Sequence, residues 1–222
     1  LNPSKTDNYV IAGVRTAPGD DLIEKIKNEQ GDKALALFLD QNSQERLSFY
    51  KKALETSSLG KYQIRDFFLE TSQEVIKKAG GDHFPAKAGQ AELDFLAQEL
   101  EKSVKTSPLD YRSTLKLAQL YNLYVVFGID KLALAEQYGQ RAMELSPSNQ
   151  QSYLVMAQTN IYQQKYDLAI ILCDQAIALE PKFLQAYTIA YQIAGISNNT
   201  AKQDEIKQKA IQQNPAWSSA FE

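Results

Sequence analysis

Prolines and alanines in the C-terminal half of the chain recur with a period of 34 residues. Pro147, Pro181 and Pro215 are spaced 34 and 34 residues apart, and an alanine lies five residues before each of them, at Ala142, Ala176 and Ala210. Pro108 lies 39 residues before Pro147, so an insertion of five residues around 125–130 would restore the period. A fixed period of this length predicts an array of helical repeats.

Each repeat predicts two helices. In the second unit the pattern predicts helices over 149–163 and 165–180, and Ile170, Cys173 and Ile177 recur at helical spacing in the latter. Proline just after a helix stops it, because its ring removes an N–H and disfavours helical geometry in the preceding residue. Two helices cannot bury an apolar face alone, so we expect stacked units to share one continuous core.

The stretch from Tyr166 to Pro181, with small residues at Ala169 and Ala176, resembles the second helix of the tetratricopeptide repeat (TPR) family. The resemblance covers about residues 109–221. It implies an all-α fold, a right-handed α-α superhelix or TPR solenoid, with units at 109–147, 148–181 and 182–215. The third unit has Gln203 and Lys207 at two expected packing positions, which is typical of a terminal capping repeat. Residues 217–221 would begin a fourth helix pair.

The first half of the chain is also helical in pattern but lacks the 34-residue register. We expect a loose arm over residues 1–20, which contain Pro3, Gly13 and Pro18, and an irregular helical array over 21–107. The expected helices are 21–29, 33–40, 44–56, 61–79 and 86–106, with Gly80 and Gly81 stopping the fourth. The last helix is a candidate for the second half of a degenerate repeat that ends at Pro108.

The order of these parts resembles the soluble C-terminal region of bacterial O-antigen ligase/polymerase-like membrane proteins, in which a helix similar to residues 49–65 precedes TPR units. This resemblance implies an extracytoplasmic accessory domain of a glycan-transferring membrane protein. The catalytic part of such proteins lies in the membrane region, so no catalytic residue is carried over. The alternative is a free-standing module in the cytoplasm, and Leu1 in place of Met is expected of a fragment or a processed chain.

Composition narrows the function classes. The formal net charge is −3 and neither half is basic, which argues against nucleic-acid binding and against attraction to an anionic membrane. The longest uncharged stretch, residues 145–164, is rich in Gln, Ser and Asn, so no membrane insertion is expected of this segment. One histidine and one cysteine exclude a Cys₂His₂ zinc site and a disulfide framework within the chain.

The remaining reactive residues do not form a catalytic set. His83 lies in a Gly-Asp-His-Phe-Pro loop with no second histidine, so a solvent-exposed loop residue is favoured over a metal ligand or proton shuttle. Cys173 falls at a packing position and is expected to be buried and inert. Carboxylate pairs such as Asp66 and Glu70 are ordinary on surface helices. We therefore expect no enzyme, no cofactor and no metal.

First helices line the concave groove in the TPR family, so the resemblance places a candidate partner site there. Its residues are Arg112, Gln119, Asn122, Gln151, Gln158, Tyr162, Gln185 and Gln192. This set is neutral apart from one cation, and it lacks the basic cluster with which some TPR proteins grip a carboxylate. Glutamine amides can hydrogen-bond a peptide backbone or glycan hydroxyls, although glutamine is also a common soluble helix former. The expected function is non-catalytic binding of a protein or peptide partner.

Overall fold

The computed structural model describes residues 17–56, 61–79 and 86–221, and within these ranges it contains ten α-helices, two 3-10 segments and no strand. The predicted all-α class is therefore confirmed. The expected arm over 1–20 and the His83 loop lie largely or wholly outside the described residues. The α-helices are α1 Asp20–Gln30, α2 Asp32–Thr56, α3 Lys61–Ala79, α4 Ala86–Thr106, α5 Tyr111–Leu123, α6 Leu132–Leu145, α7 Gln150–Tyr162, α8 Tyr166–Leu179, α9 Leu184–Ile196 and α10 Thr200–Gln213.

Two predicted elements differ from the structure. The separate helices expected over 33–40 and 44–56 are one continuous helix, α2. Asn42 and Ser43 suggested a helix start there, but their side chains bond Arg46 and Glu92 instead of capping a new helix. The residues expected to begin a fourth helix pair form a 3-10 segment, Pro215–Phe221.

The chain divides into two compact units. The N-unit comprises the residues up to Thr106 together with Val126–Ile129, and the C-unit comprises Ser107–Val125 and the residues from Asp130 onward. The inserted residues therefore belong to the N-unit, where Val126 and Phe127 pack against its apolar cluster of Ile23, Ile26, Leu35, Leu39, Val75 and Ile76. A Cβ at Gly89 would overlap the ring of Phe127, so only glycine admits the ring there.

A buried polar cluster joins α2, α3 and α4 inside the N-unit. The guanidinium of Arg46 pairs with Glu92 and also donates to Asn42 Oδ1 at 2.6 Å. Ser72 Oγ donates to the second carboxylate oxygen of Glu92 at 2.7 Å, and Ser43 donates to the first. Because both charges are fully buried, each depends on the other for compensation of its lost hydration.

Small residues fill the helix crossings of the C-unit. The helices pack as α5 with α6, α7 with α8 and α9 with α10, and each second helix contacts the next first helix. Their contact faces bring together alanines with no exposed surface: Ala118, Ala135, Ala142, Ala157, Ala169, Ala176, Ala186, Ala190 and Ala210. On α6, Gly139 leaves room for the Met156 sulfur, which a Cβ at that position would overlap. Paired helices can therefore approach closely.

Equivalent turns in consecutive repeats have the same geometry. The hydroxyl of Tyr153 donates to Pro147 O at 2.9 Å, and that of Tyr187 donates to Pro181 O at 3.3 Å. The turns after α7 and α9 each contain one left-handed residue, with φ of 60° at Gln164 and 56° at Asn198. In both turns the following backbone N–H bonds back to a helix carbonyl at 2.8 Å, which is a Schellman-type helix end.

The only cysteine of the chain lies in the core of the C-unit. Cys173 on α8 has no exposed surface, and burial raises the pKa of its thiol to about 12. No helix among the described residues combines the length and the apolar character needed to cross a membrane.

We expect Glu92→Gln to lower the free energy of unfolding by about 3–5 kcal/mol, because it leaves the Arg46 guanidinium buried without a counter-charge. Denaturant unfolding followed by circular dichroism measures this loss. The double variant Arg46→Met with Glu92→Leu removes both charges together and should be clearly more stable than Glu92→Gln. A loss below about 1 kcal/mol for Glu92→Gln would contradict the role given to the ion pair.

We expect the Cys173 thiol to resist a thiol-specific disulfide reagent at about pH 8 in the folded protein, because thiolate is the reacting form and burial suppresses it. Absorbance of the released chromophore measures the rate, and the thiol should react promptly once the protein is unfolded by guanidinium. The control is Gln175→Cys in a Cys173→Ala background, which places a thiol at an exposed position of the same helix. Equal rates for the two folded proteins would show that Cys173 is accessible.

Candidate functional site

The first helices of the C-unit, α5, α7 and α9, carry all eight of the predicted partner-binding residues. Asn122 is one of them, but it is buried between α5 and α7, where its side chain bonds the neighbouring helix. Its Nδ2 donates to Val155 O at 3.3 Å, and its Oδ1 accepts from Thr159 Oγ1 at 3.1 Å. Asn122 therefore joins two helices and presents no polar atom to a partner.

A second polar contact lies near the other end of the same helix pair. Ser152 Oγ on α7 donates to the hydroxyl of Tyr111 on α5 at 3.1 Å. Between the two contacts, Leu115 and Leu154 are buried in the core. These side chains therefore fix α5 beside α7 and leave only the remaining positions of the first helices for contact with another molecule.

Glutamine side chains provide most of that accessible surface. Gln119 and Gln158 are half-buried and Gln192 is exposed, and they occupy the same repeat position on α5, α7 and α9. Among the described residues, none of the hydrogen bonds uses the side-chain amides of these three glutamines. Each amide offers two N–H donors and one carbonyl acceptor. The first helices thus present a row of unused amides, one in each unit, which we call the amide row.

Residues near the first turn and at the end of the first helices border the amide row. Gln151 is half-buried and Gln185 exposed, and both lie at the repeat position that Arg112 occupies on α5. Arg112 is exposed and supplies the one positive charge of the predicted set. Tyr162 closes the C-terminal end of α7, and partial burial raises the pKa of its phenol. Its ring therefore stays neutral and offers an apolar wall with a hydrogen-bonding edge.

The described residues show no arrangement suited to catalysis. No group of three or more His, Cys, Asp or Glu side chains within them is placed to hold a metal ion. Cys173 is buried with a raised thiol pKa, so it is not poised as a nucleophile. An open pocket of about 480 Å³ is lined by the turn after α7, the start of α8 and Ser197, and none of the eight predicted residues lines it. The surface that remains is suited to binding through neutral hydrogen bonds.

Sequence reasoning missed two features of these helices. The buried bonds of Asn122 depend on which residues of α7 face it, and a single sequence does not reveal that pairing. The second feature is the outer side of α8, where Leu168 and Ile171 are exposed. Comparison of equivalent repeat positions along the sequence would have found it, since the next unit has Lys202 and Glu205 there.

No family model and no curated protein matches the sequence. Solved structures that share the fold are TPR proteins, and three of them cover nearly the whole chain. TTC0263, a thermophilic TPR protein in Thermus thermophilus, aligns with a TM-score of 0.59 and 14% identity over 97% of this chain and 98% of that one. MamA aligns with a TM-score of 0.52 and 16% identity over 96% of this chain and 94% of that one.

YrrB, described as a TPR protein with an unusual peptide-binding site, aligns with a TM-score of 0.50 and 18% identity over 91% of this chain and 97% of that one. At such low identities the likeness shows the fold and nothing finer. The resemblance to O-antigen ligase/polymerase-like proteins, with the glycan or membrane-enzyme partner that it implies, stays a prediction. The predicted fold class is confirmed: the chain forms an all-α, TPR-like solenoid.

Proposed function

We propose that this chain is a non-catalytic interaction module whose C-unit binds an extended, largely uncharged segment of a protein partner along α5, α7 and α9. The observation that carries the proposal is the amide row. Gln119, Gln158 and Gln192 hold equivalent positions in three successive repeats, and their amides take no part in the hydrogen bonds of the described residues. An extended peptide has unpaired backbone N–H and C=O groups, for which neutral amides are suitable partners.

The electrostatics of the first helices support a neutral ligand. Among the eight predicted residues only Arg112 is charged, so a strongly acidic segment would find little compensation for its lost hydration. Tyr162 adds a neutral aromatic surface on which an apolar side chain of the ligand can pack. The TPR-like fold and the peptide-binding site that is named for YrrB are consistent with this role. Affinity would then depend on hydrogen bonds and packing more than on charge.

A random peptide library is the appropriate probe, because the proposal specifies the chemistry of the ligand and not its sequence. Peptides of about twelve residues displayed on phage can be selected on the immobilised full chain and then made synthetically. Isothermal titration calorimetry with the free peptides gives Kd at low and high salt. We expect selected peptides to be poor in charged residues, and their Kd to change less than about threefold with salt, because neutral contacts are not screened.

We expect the triple variant Gln119→Ala, Gln158→Ala, Gln192→Ala to weaken binding of the selected peptides by at least about tenfold. Each lost hydrogen bond is worth about 0.5–1.5 kcal/mol, and about 1.4 kcal/mol corresponds to a factor of ten in Kd. The thermal midpoint should stay nearly unchanged, because these amides hold no structure together.

The matched control for that experiment is Gln137→Ala, Gln140→Ala, Gln175→Ala, which removes three exposed glutamines from the second helices α6 and α8. This control should bind the peptides as the wild type does. Unchanged binding by the amide-row variant would overturn the proposed site. Peptides rich in acidic residues, with a steep loss of affinity in salt, would overturn its proposed chemistry.

A further inference from the structure

Three large apolar side chains stand exposed on one side of α8. Leu168 and Ile171 are each 51% exposed and Leu179 is 41% exposed. At 3.6 residues per turn, these residues share an arc of about 100° with Gln175 and Ala178, which are also exposed. We call these five residues the α8 face. It contains no charged side chain, which is unusual for an exposed helix surface.

The same positions in the neighbouring repeats are charged. On α6, Arg141 Nη1 lies 2.9 Å from Glu144 Oε2. On α10, Glu205 Oε1 lies 3.2 Å from Lys202 Nζ and 2.6 Å from Lys209 Nζ. The apolar surface is therefore a property of one helix and not of the repeat, and ion pairs flank it on both sides.

This arrangement has the anatomy of a protein interface, with an apolar centre and a polar rim. Single exposed apolar residues, such as Leu109 and Ile196, are ordinary on protein surfaces. Three on one side of a single helix are different, because burying them together would release water from a continuous patch. The amide row lies on other helices, so the α8 face would serve a second contact.

We propose that the α8 face is a self-association surface, on which the α8 face of a second copy of this chain packs in antiparallel orientation. A two-fold axis through the midpoint between Ile171 and Gln175 makes the rim charges compatible. Glu205 and Lys209 of one copy then come opposite Lys209 and Glu205 of the other. The same operation brings Arg141 opposite Gln137, Glu144 opposite Leu134 and Lys202 opposite Gln212.

A parallel arrangement of the two helices is less favourable. A two-fold axis along α8 brings α6 of one copy over α10 of the other at the same level, and Arg141 then faces Lys209. Like charges placed opposite each other destabilise an interface, whereas the antiparallel arrangement has no such pair on its rim. Charge complementarity therefore selects both the partner, a second copy, and its direction.

The size of the patch predicts a weak dimer. Three half-exposed aliphatic side chains leave on the order of 300 Å² of apolar surface in water, whereas stable complexes bury ~800 Å² on each partner. Such an interface belongs to the weak, transient class, and we expect a dimer Kd of about 0.1 mM. The chain would then be monomeric when dilute and dimeric where it is concentrated locally.

Sedimentation equilibrium of the full chain between ~10 μM and ~1 mM tests the proposal. The variant Leu168→Lys with Ile171→Glu gives α8 the residues that α10 has at the same positions, Lys202 and Glu205, so the fold should tolerate it. We expect the wild type to show a monomer–dimer equilibrium and this variant to associate at least about tenfold more weakly. Circular dichroism and thermal unfolding verify that the variant is folded.

Two further variants separate the interface from general surface effects. Leu109→Lys makes the same kind of change at a leucine that is 78% exposed outside the α8 face, and it should dimerise as the wild type does. Lys209→Glu should weaken the dimer, because it places two glutamates opposite each other. Adding Glu205→Lys to it exchanges the two charges and should restore association, which a parallel dimer would not require.

Three results would overturn the proposal. One is a wild type that stays monomeric to ~1 mM, and another is a dimer that Leu168→Lys with Ile171→Glu leaves unchanged. The third is a monomeric wild type that binds a synthetic amphipathic helix, with loss of binding in the same variant, because the α8 face would then dock a different partner. Peptide binding at the amide row is measured independently, so either proposal can fail alone.

Discussion

Close packing at alanine and glycine positions is the constraint on which the C-unit depends. Packed helices have their axes about 8–10 Å apart, and the lower part of that range requires small side chains at the crossing. Ala118, Ala157 and Ala190 on first helices, and Ala135 and Ala169 on second helices, meet this requirement with no exposed surface. Once these residues fix the core sides of the helices, the remaining positions are free to differ between repeats. The amide row and the α8 face both occupy such positions.

The N-unit is organised by a different interaction. It has no repeated small residues, and its three longest helices meet around the Arg46–Glu92 pair with hydroxyl groups from Ser43 and Ser72. A buried ion pair is weak evidence of stability by itself, because desolvation offsets much of the attraction. Its effect on alternatives is larger: shifting one helix along another by a turn would leave a charge buried and unpaired. The pair therefore favours one register of α2 against α4.

The sequence predicted those features that local signals determine. The ends of α3 and α4 match the prediction because Gly80 and Pro85 lie beside them, and the prolines of the C-terminal half mark the helix pairs. Features that depend on distant residues could not be predicted in this way. Asn42 and Ser43 are capping residue types until Arg46 and Glu92 are known to bond them. Asn122 likewise belongs to a groove position by register but to a helix junction by contact.

The placement of residues 126–129 has a consequence for the order in which the protein is made. Val126 and Phe127 complete the apolar cluster of the N-unit, yet they follow α5, which belongs to the C-unit. A ribosome that has released residue 106 has therefore not yet supplied everything the N-unit needs. About twenty further residues must emerge, and the first helix of the repeat array must wait beside an unfinished neighbour. Likewise, a fragment cut at the repeat boundary would strand two apolar side chains on one piece and expose their empty seat on the other.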